Sequence, residues 1–367
     1  MKQVQRSIII SSGSYIPTQR VTNMDFMGHV FYDNEGVRLK KPNEEIIRQF
    51  EAITGISERR YVNDDQLASD IAFLAAREAL ESAQINAETL DYIIVAHNFG
   101  DISAENYHSE MVPSLASRVK HHLGIQNPKT IAYDLPFGCP GWLQGMIQAD
   151  CYISSGIANR VLVIGAETLS RICDPHDRDS MLYSDGAGAV ILGASTKEET
   201  EGILTHTSRS FTTEQAFLLR MGKSSNPDFV ADRLFLKMQG HKLYEQVLKI
   251  VPGIIKECID DAGISINDID QILIHQANHK MDEAIVKKLH ALYDITEVPE
   301  YIMPMTISWL GNSSVATIPT LYDLFAKGKI ENHPLTAGKV IVFVSIGAGL
   351  NVNAMVYQIP ANDPVTT

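Results

Sequence analysis

Phe137-Gly138-Cys139-Pro140-Gly141-Trp142 and Leu310-Gly311-Asn312-Ser313-Ser314 are matched stretches of this chain. Each follows a β-rich segment and opens an amphipathic run, closing at Ser155-Gly156-Ile157 in one case and Lys327-Gly328-Lys329-Ile330 in the other. The two runs have the same length. A thiol at a helix start meets unpaired backbone N–H groups and the positive end of the macrodipole, which favour the thiolate. Cys139 therefore reads as a nucleophile, with Asn312 at the equivalent place in a second unit.

A second correspondence supports duplication. Residues 77–95, from Arg77-Glu78-Ala79-Leu80 to Ile93-Ile94-Val95, align without a gap onto residues 256–274, from Lys256-Glu257-Cys258-Ile259 to Ile272-Leu273-Ile274. A spacing of roughly 180 residues is too long for a solenoid and indicates two homologous halves. The charged run Lys197-Glu198-Glu199-Thr200-Glu201 marks the expected boundary, giving halves 1–196 and 197–367.

Composition fits an ordinary globular protein of 367 residues, 45% of them apolar. A net charge of −13 argues against general nucleic-acid binding, which needs a basic face. The four cysteines show no paired spacing, and Cys151 and Cys258 fall on predicted apolar helix faces. Ile8-Ile9-Ile10 is too short for a signal-peptide core, and no apolar run reaches the length of a membrane span, so a cytoplasmic protein is expected.

Strand and helix alternate along both halves. Strands are predicted at 4–12, 92–96, 130–135, 160–165 and 187–192, with helices at 69–83, capped by Ser69, and at 143–154. In the second half 240–261 reads as a helix that Pro252 should kink or split. The segments 272–275, 317–325, 340–345 and 353–357 repeat the earlier order. His275, in Ile274-His275-Gln276-Ala277-Asn278, stands where the repeat puts Ala96, at the end of a buried strand. Strand ends and helix starts converge on one edge of an α/β sheet, so packing of the halves should bring Cys139, His275 and Asn312 to one cleft.

These motifs resemble the Cys-His-Asn triad of the β-ketoacyl-carrier-protein synthase III group of the thiolase superfamily. The resemblance runs over nearly the whole chain and includes Cys173-Asp174-Pro175-His176-Asp177-Arg178, Asp185-Gly186-Ala187-Gly188-Ala189 and Gly347-Ala348-Gly349. It implies a five-layer αβαβα thiolase-like fold with mixed sheets. It also implies acyl transfer to Cys139, an oxyanion hole from the N–H groups of Cys139 and Ala348, and decarboxylative Claisen condensation with a malonyl extender held by His275 and Asn312. An enolate needs donors rather than a strong base, which suits a neutral imidazole and a carboxamide.

The implied partners are acyl carrier protein in its acyl and malonyl forms and a second copy of the chain. Val112-Pro113-Ser114 lies where the resemblance puts the partner's pocket contact. Arg178, Lys280, Lys287 and Lys288 match basic positions for the pantetheine entrance and carrier docking. Members primed by acyl-CoA carry a Trp and an Arg where this chain has Gln49 and Ile53, which favours a carrier-bound donor over acyl-CoA. Tyr32 to Pro42 and Phe99 to Met111 are longer than usual, as in members serving specialised metabolism. No cofactor is implied, and His275 with His279 lacks a third metal ligand. The glycines of Asp185-Gly186-Ala187-Gly188-Ala189 read as close backbone packing. The alternatives are an acyltransferase or non-decarboxylating condensing enzyme of the same fold, and a non-catalytic partner subunit.

Overall fold

The computed structural model describes residues 6–195 and 201–361; most of the expected boundary at 197–201 lies outside them. Its helices are α1 (Asn43–Thr54), α2 (Ala68–Ser82), α3 (Leu115–His122), α4 (Gly141–Ser154), α5 (Gly240–Asp261), α6 (His279–Ala291), α7 (Ile307–Leu310) and α8 (Thr317–Ala326).

Two mixed sheets carry the fold. The first runs Ser7–Tyr15, Asp185–Ala194, Arg160–Thr168, Tyr92–His97, Ile131–Pro136, with two antiparallel junctions followed by two parallel ones. The second runs Gly202–Ser210, Asn351–Gln358, Val340–Gly347, Gln271–Ile274, again two antiparallel junctions and then a parallel one. The duplication read from 77–95 and 256–274 is visible element by element. A 3-10 turn at Ala87–Thr89, capped by Asn86, precedes strand Tyr92–His97, and one at Ile266–Asp268, capped by Ser265, precedes Gln271–Ile274.

Period-two alternation sorts each strand's side chains to opposite faces and so stacks the layers. In Tyr92–His97, Ile93 and Val95 pack with α2 and α3, while Ile94 and Ala96 face α4. In Val340–Gly347, Ile341 and Phe343 join that same central layer, and Val340, Val342 and Val344 face α5 and α6. Helices α4 and α8 are therefore buried between the sheets, giving five layers: α2/α3, sheet, α4/α8, sheet, α5/α6. Trp142, 1% exposed, spends its one polar atom on the Val163 carbonyl at 3.3 Å. The layers approach closely at Gly188, where a Cβ would fall 2.6 Å from Thr320 N at the head of α8. Gly186 is looser, its nearest neighbour being Ser313 Cβ at 3.6 Å, so close packing explains only one of these two glycines.

Several local expectations change. Ser69 is not a cap: α2 begins one residue earlier, its first turn is closed by Asp70 Oδ2 accepting from Leu67 N, and Ser69 bonds Asp101. Cys151, expected in the core, is exposed, whereas Cys258 is buried. Pro252 does not split α5, which runs continuously for 22 residues. A proline removes the hydrogen bond to the carbonyl four residues back. That carbonyl, Leu248 O, instead accepts from Lys288 Nζ of α6 at 3.3 Å.

Candidate active site

Cys139 sits two residues ahead of α4, between the end of strand Ile131–Pro136 and Pro140 at the N-cap. Gly138, at φ +72°, makes the turn. Across from it, the loop after Val340–Gly347 comes so near that Gly347 has no room for a Cβ: Cys139 N would lie 2.6 Å away. Ser345 Oγ donates to the Cys139 carbonyl at 3.2 Å, and Asn351 Nδ2 donates to Ala348 O at 2.8 Å. These contacts hold the N–H groups of Cys139 and Ala348 against the Cys139 sulfur.

Asn312 is not at a helix start. It follows the short helix α7, and a 3-10 turn at Ser314–Ala316 intervenes before α8. Its backbone is instead clamped to segment 182–184, with Asn312 N donating to Leu182 O and Ser184 N donating to Asn312 O, each at 2.9 Å. Gly311 adopts φ +64°, and a Cβ there would meet Arg59 at 3.0 Å. Asn312 Oδ1 accepts from Ser314 N at 2.8 Å, which orients the amide and leaves Nδ2 as the donor for a ligand.

His275 directly follows strand Gln271–Ile274, with its N–H on Val344 O at 2.8 Å. Gln276 anchors this corner from inside: Nε2 donates to Pro304 O and Oε1 accepts from Thr306 N. Asn278 caps α6 by accepting from Met281 N at 3.1 Å. His275 is thus ahead of that helix rather than on it, so it forms no helical pair with His279, whose Nε2 lies 3.0 Å from Glu283. Burial pushes the imidazole down to about 4, and Nδ1 has no hydrogen-bond partner among the described residues. The ring is neutral at physiological pH.

Cys139, His275, Asn312 and Ala348 all line one cavity of about 810 Å3. Leu182, Leu219, Met221, Leu236 and Val247 give it apolar walls, and α1 covers one side with Ile46 and Phe50. Arg178 and Lys280 also line it, but Lys287 and Lys288 lie farther along α6, exposed and off the lining. Gln49 and Ile53 line the cavity on α1. Gln49 is engaged with Lys41 and Glu45.

The helix-start thiolate expected at Cys139 is not the resting state. Burial dominates and pushes the thiol up to about 11, with the negative charge of Glu167 adding to it. Opposing this are a hydrogen bond donated by Ser314 Oγ at 3.2 Å and the N–H groups of Cys139 and Ala348. Ser314 holds a left-handed backbone, φ +53°, uncommon for a residue with a side chain. Ser314, Asn98 and Gln276 are site residues to which the motifs assigned no role; a positive φ is invisible in sequence, and Asn98 reaches Ser314 across 216 residues.

The family model for 3-oxoacyl-[acyl-carrier-protein] synthase III matches residues 133–210, and that for its C-terminal region matches 259–359. A β-ketoacyl-[acyl-carrier-protein] synthase III from Erythrobacter litoralis is 32% identical over 347 residues, 94% of this chain and 96% of the relative. The crystal structure of 3-oxoacyl-[acyl-carrier-protein] synthase III from Aquifex aeolicus superposes with a TM-score of 0.77 at 28% identity, covering 96% of this chain and 99% of that one. The priming β-ketosynthase of a polyketide biosynthetic pathway gives 0.79 at 25% identity, covering 99% and 98%.

Proposed function

This chain belongs to the 3-oxoacyl-[acyl-carrier-protein] synthase III family, and from that premise we propose how its residues divide the work of a condensing enzyme. Cys139 Sγ attacks the carbonyl of an acyl thioester, with its own N–H and that of Ala348 receiving the oxyanion; the donor's C–S bond breaks, and the donor leaves as a thiol carrying the proton that Cys139 gives up. His275 and Asn312 then donate to the thioester carbonyl of a malonyl extender, stabilising the enolate formed as carbon dioxide leaves. The enolate attacks the acyl-cysteine and releases a β-ketoacyl thioester. The observation that carries this reading is the convergence of one sulfur, one neutral imidazole and one oriented carboxamide on a single cavity.

Acyl carrier protein, in acyl and malonyl forms, is the proposed partner, entering past Arg178 and Lys280 in a cytoplasmic setting. Ile53, aliphatic and 52% exposed at the cavity, offers no charged or aromatic platform for a nucleotide, which supports a carrier-bound donor over acyl-CoA. A homodimer is supported by Val112, 90% exposed, and by the outer strand Ile131–Pro136.

Intact-protein mass spectrometry after incubation with acyl-carrier thioesters tests the scheme. An acyl adduct should form on the parent and on His275→Ala and Asn312→Ala, but not on Cys139→Ala. Release of carbon dioxide from malonyl-carrier protein should fail in the first two variants. Normal condensation by Cys139→Ala would refute the assignment.

A further inference from the structure

A hydrogen-bond path of fixed direction runs from a buried carboxylate to the Cys139 sulfur. Glu167 Oε1 accepts from the Asn98 backbone N–H at 2.5 Å and from Asn98 Nδ2 at 2.7 Å. The same Nδ2 donates to Ser314 Oγ at 3.0 Å, and Ser314 Oγ donates to Cys139 Sγ at 3.2 Å. An amide nitrogen has two hydrogens and offers no acceptor. Ser314 must accept from Asn98, so its single hydroxyl hydrogen is left for the sulfur. With Glu167 ionised, as it is at the mildly alkaline pH where a thiolate forms, a flip of the Asn98 amide would set its oxygen against the carboxylate, and two acceptors cannot bond.

The parts come from separated elements. Glu167, 1% exposed, lies on strand Arg160–Thr168; Asn98 directly follows strand Tyr92–His97; Ser314 occupies its left-handed turn before α8. Asn98 and Ser314 line the cavity with Cys139, and Glu167 stands behind them.

Resting on the reading of Cys139 as nucleophile, we infer that Asn98 and Glu167 are positioning residues for it: Glu167 holds the Asn98 amide so that its NH2 faces Ser314, and this aims the Ser314 hydroxyl hydrogen at the sulfur. Two effects of opposite sign are built into this arrangement. The path stabilises the thiolate, while the Glu167 charge disfavours it. The groups acting on Glu167 are Asn98 and His97 beside it and Asp185 on strand Asp185–Ala194; burial raises the carboxyl to about 7. Glu167→Gln keeps a carbonyl acceptor for Asn98 and removes the charge, whereas Glu167→Ala removes both.

The test is site-resolved alkylation of Cys139 by iodoacetamide in the full chain, followed by peptide mass spectrometry across a pH series. Ser314→Ala and Asn98→Ala should each slow alkylation about tenfold at mildly alkaline pH, as the titration midpoint moves up by about one unit. Glu167→Ala should slow it less than those two, because loss of the charge offsets part of the loss of the path, and Glu167→Gln should restore a rate at or above that of the parent. A parent-like profile for Asn98→Ala, or a slow Glu167→Gln protein with a normal unfolding midpoint, overturns the inference. These two variants carry the test where Glu167→Ala does not fold. Alkylation reads only the sulfur, so missing acyl adducts alongside these shifts would sink the condensing scheme and leave the path standing.

Discussion

Gly347 and Cys139 touch backbone to backbone: a Cβ on Gly347 would lie 2.6 Å from Cys139 N and 2.7 Å from Pro140 Cδ. The conformation of Gly347, φ −169°, is one any residue can adopt, so only space demands a glycine here. Strand Val340–Gly347 of the second sheet thereby fixes a loop against the start of α4, and the cavity is closed by parts of both sheets' connections.

Gly347→Ala should therefore act on geometry more than on the fold. Overpacking costs roughly 1–3 kcal/mol, which a large core tolerates, but a displacement of about 1 Å at reacting groups costs about a hundredfold in rate. Acyl-adduct formation on Cys139 should drop by about that factor while urea unfolding stays cooperative with a modestly lower midpoint. Parent-like acylation would show that the contact is slack.

Legibility in the sequence followed how local each determinant is. The buried runs 92–96 and 340–345 declared themselves through composition, and the offset between 77–95 and 256–274 located His275 without any structure. Asn312 lines the cavity, yet the helix start expected there is absent, because α7 and a left-handed Ser314 break the match. The expectation that Pro252 kinks or splits its helix considers that helix alone; the group that takes up the freed carbonyl, Lys288, comes from another. The Glu167 to Asn98 to Ser314 path could not be read at all, since each link joins residues distant in the chain.

His275 ties stability to pH with a definite sign. Its pKa in the folded chain is about 4, against about 6.5 when unfolded, so on acidification the unfolded chain takes up the proton first. The site's contribution is whole above about pH 6.5 and is lost as pH falls toward 4, a change on the order of 3 kcal/mol. Urea unfolding of the parent and His275→Gln at pH values above and below this window should show their stability difference shifting against the parent at low pH. The carboxylates titrate in both proteins and drop out of the comparison. A difference independent of pH would mean that the imidazole is not held neutral by burial.

Lys280 and Lys288 share a helix but not a setting, which separates docking from structure. Lys280 lines the cavity mouth, whereas Lys288 reaches back to the Leu248 carbonyl left without its helical donor by Pro252. Lys280→Glu should raise KM for an acidic carrier protein severalfold, leave kcat with a small thioester unchanged, and lose its effect as salt screens the attraction. Lys288→Met should leave KM near the parent value and instead lower stability by about 1 kcal/mol, the usual worth of one hydrogen bond. Steady-state kinetics at low and high salt, paired with urea unfolding, distinguish the two. An equal rise in KM from Lys288→Met would place the carrier farther along α6, over the exposed Lys287 as well.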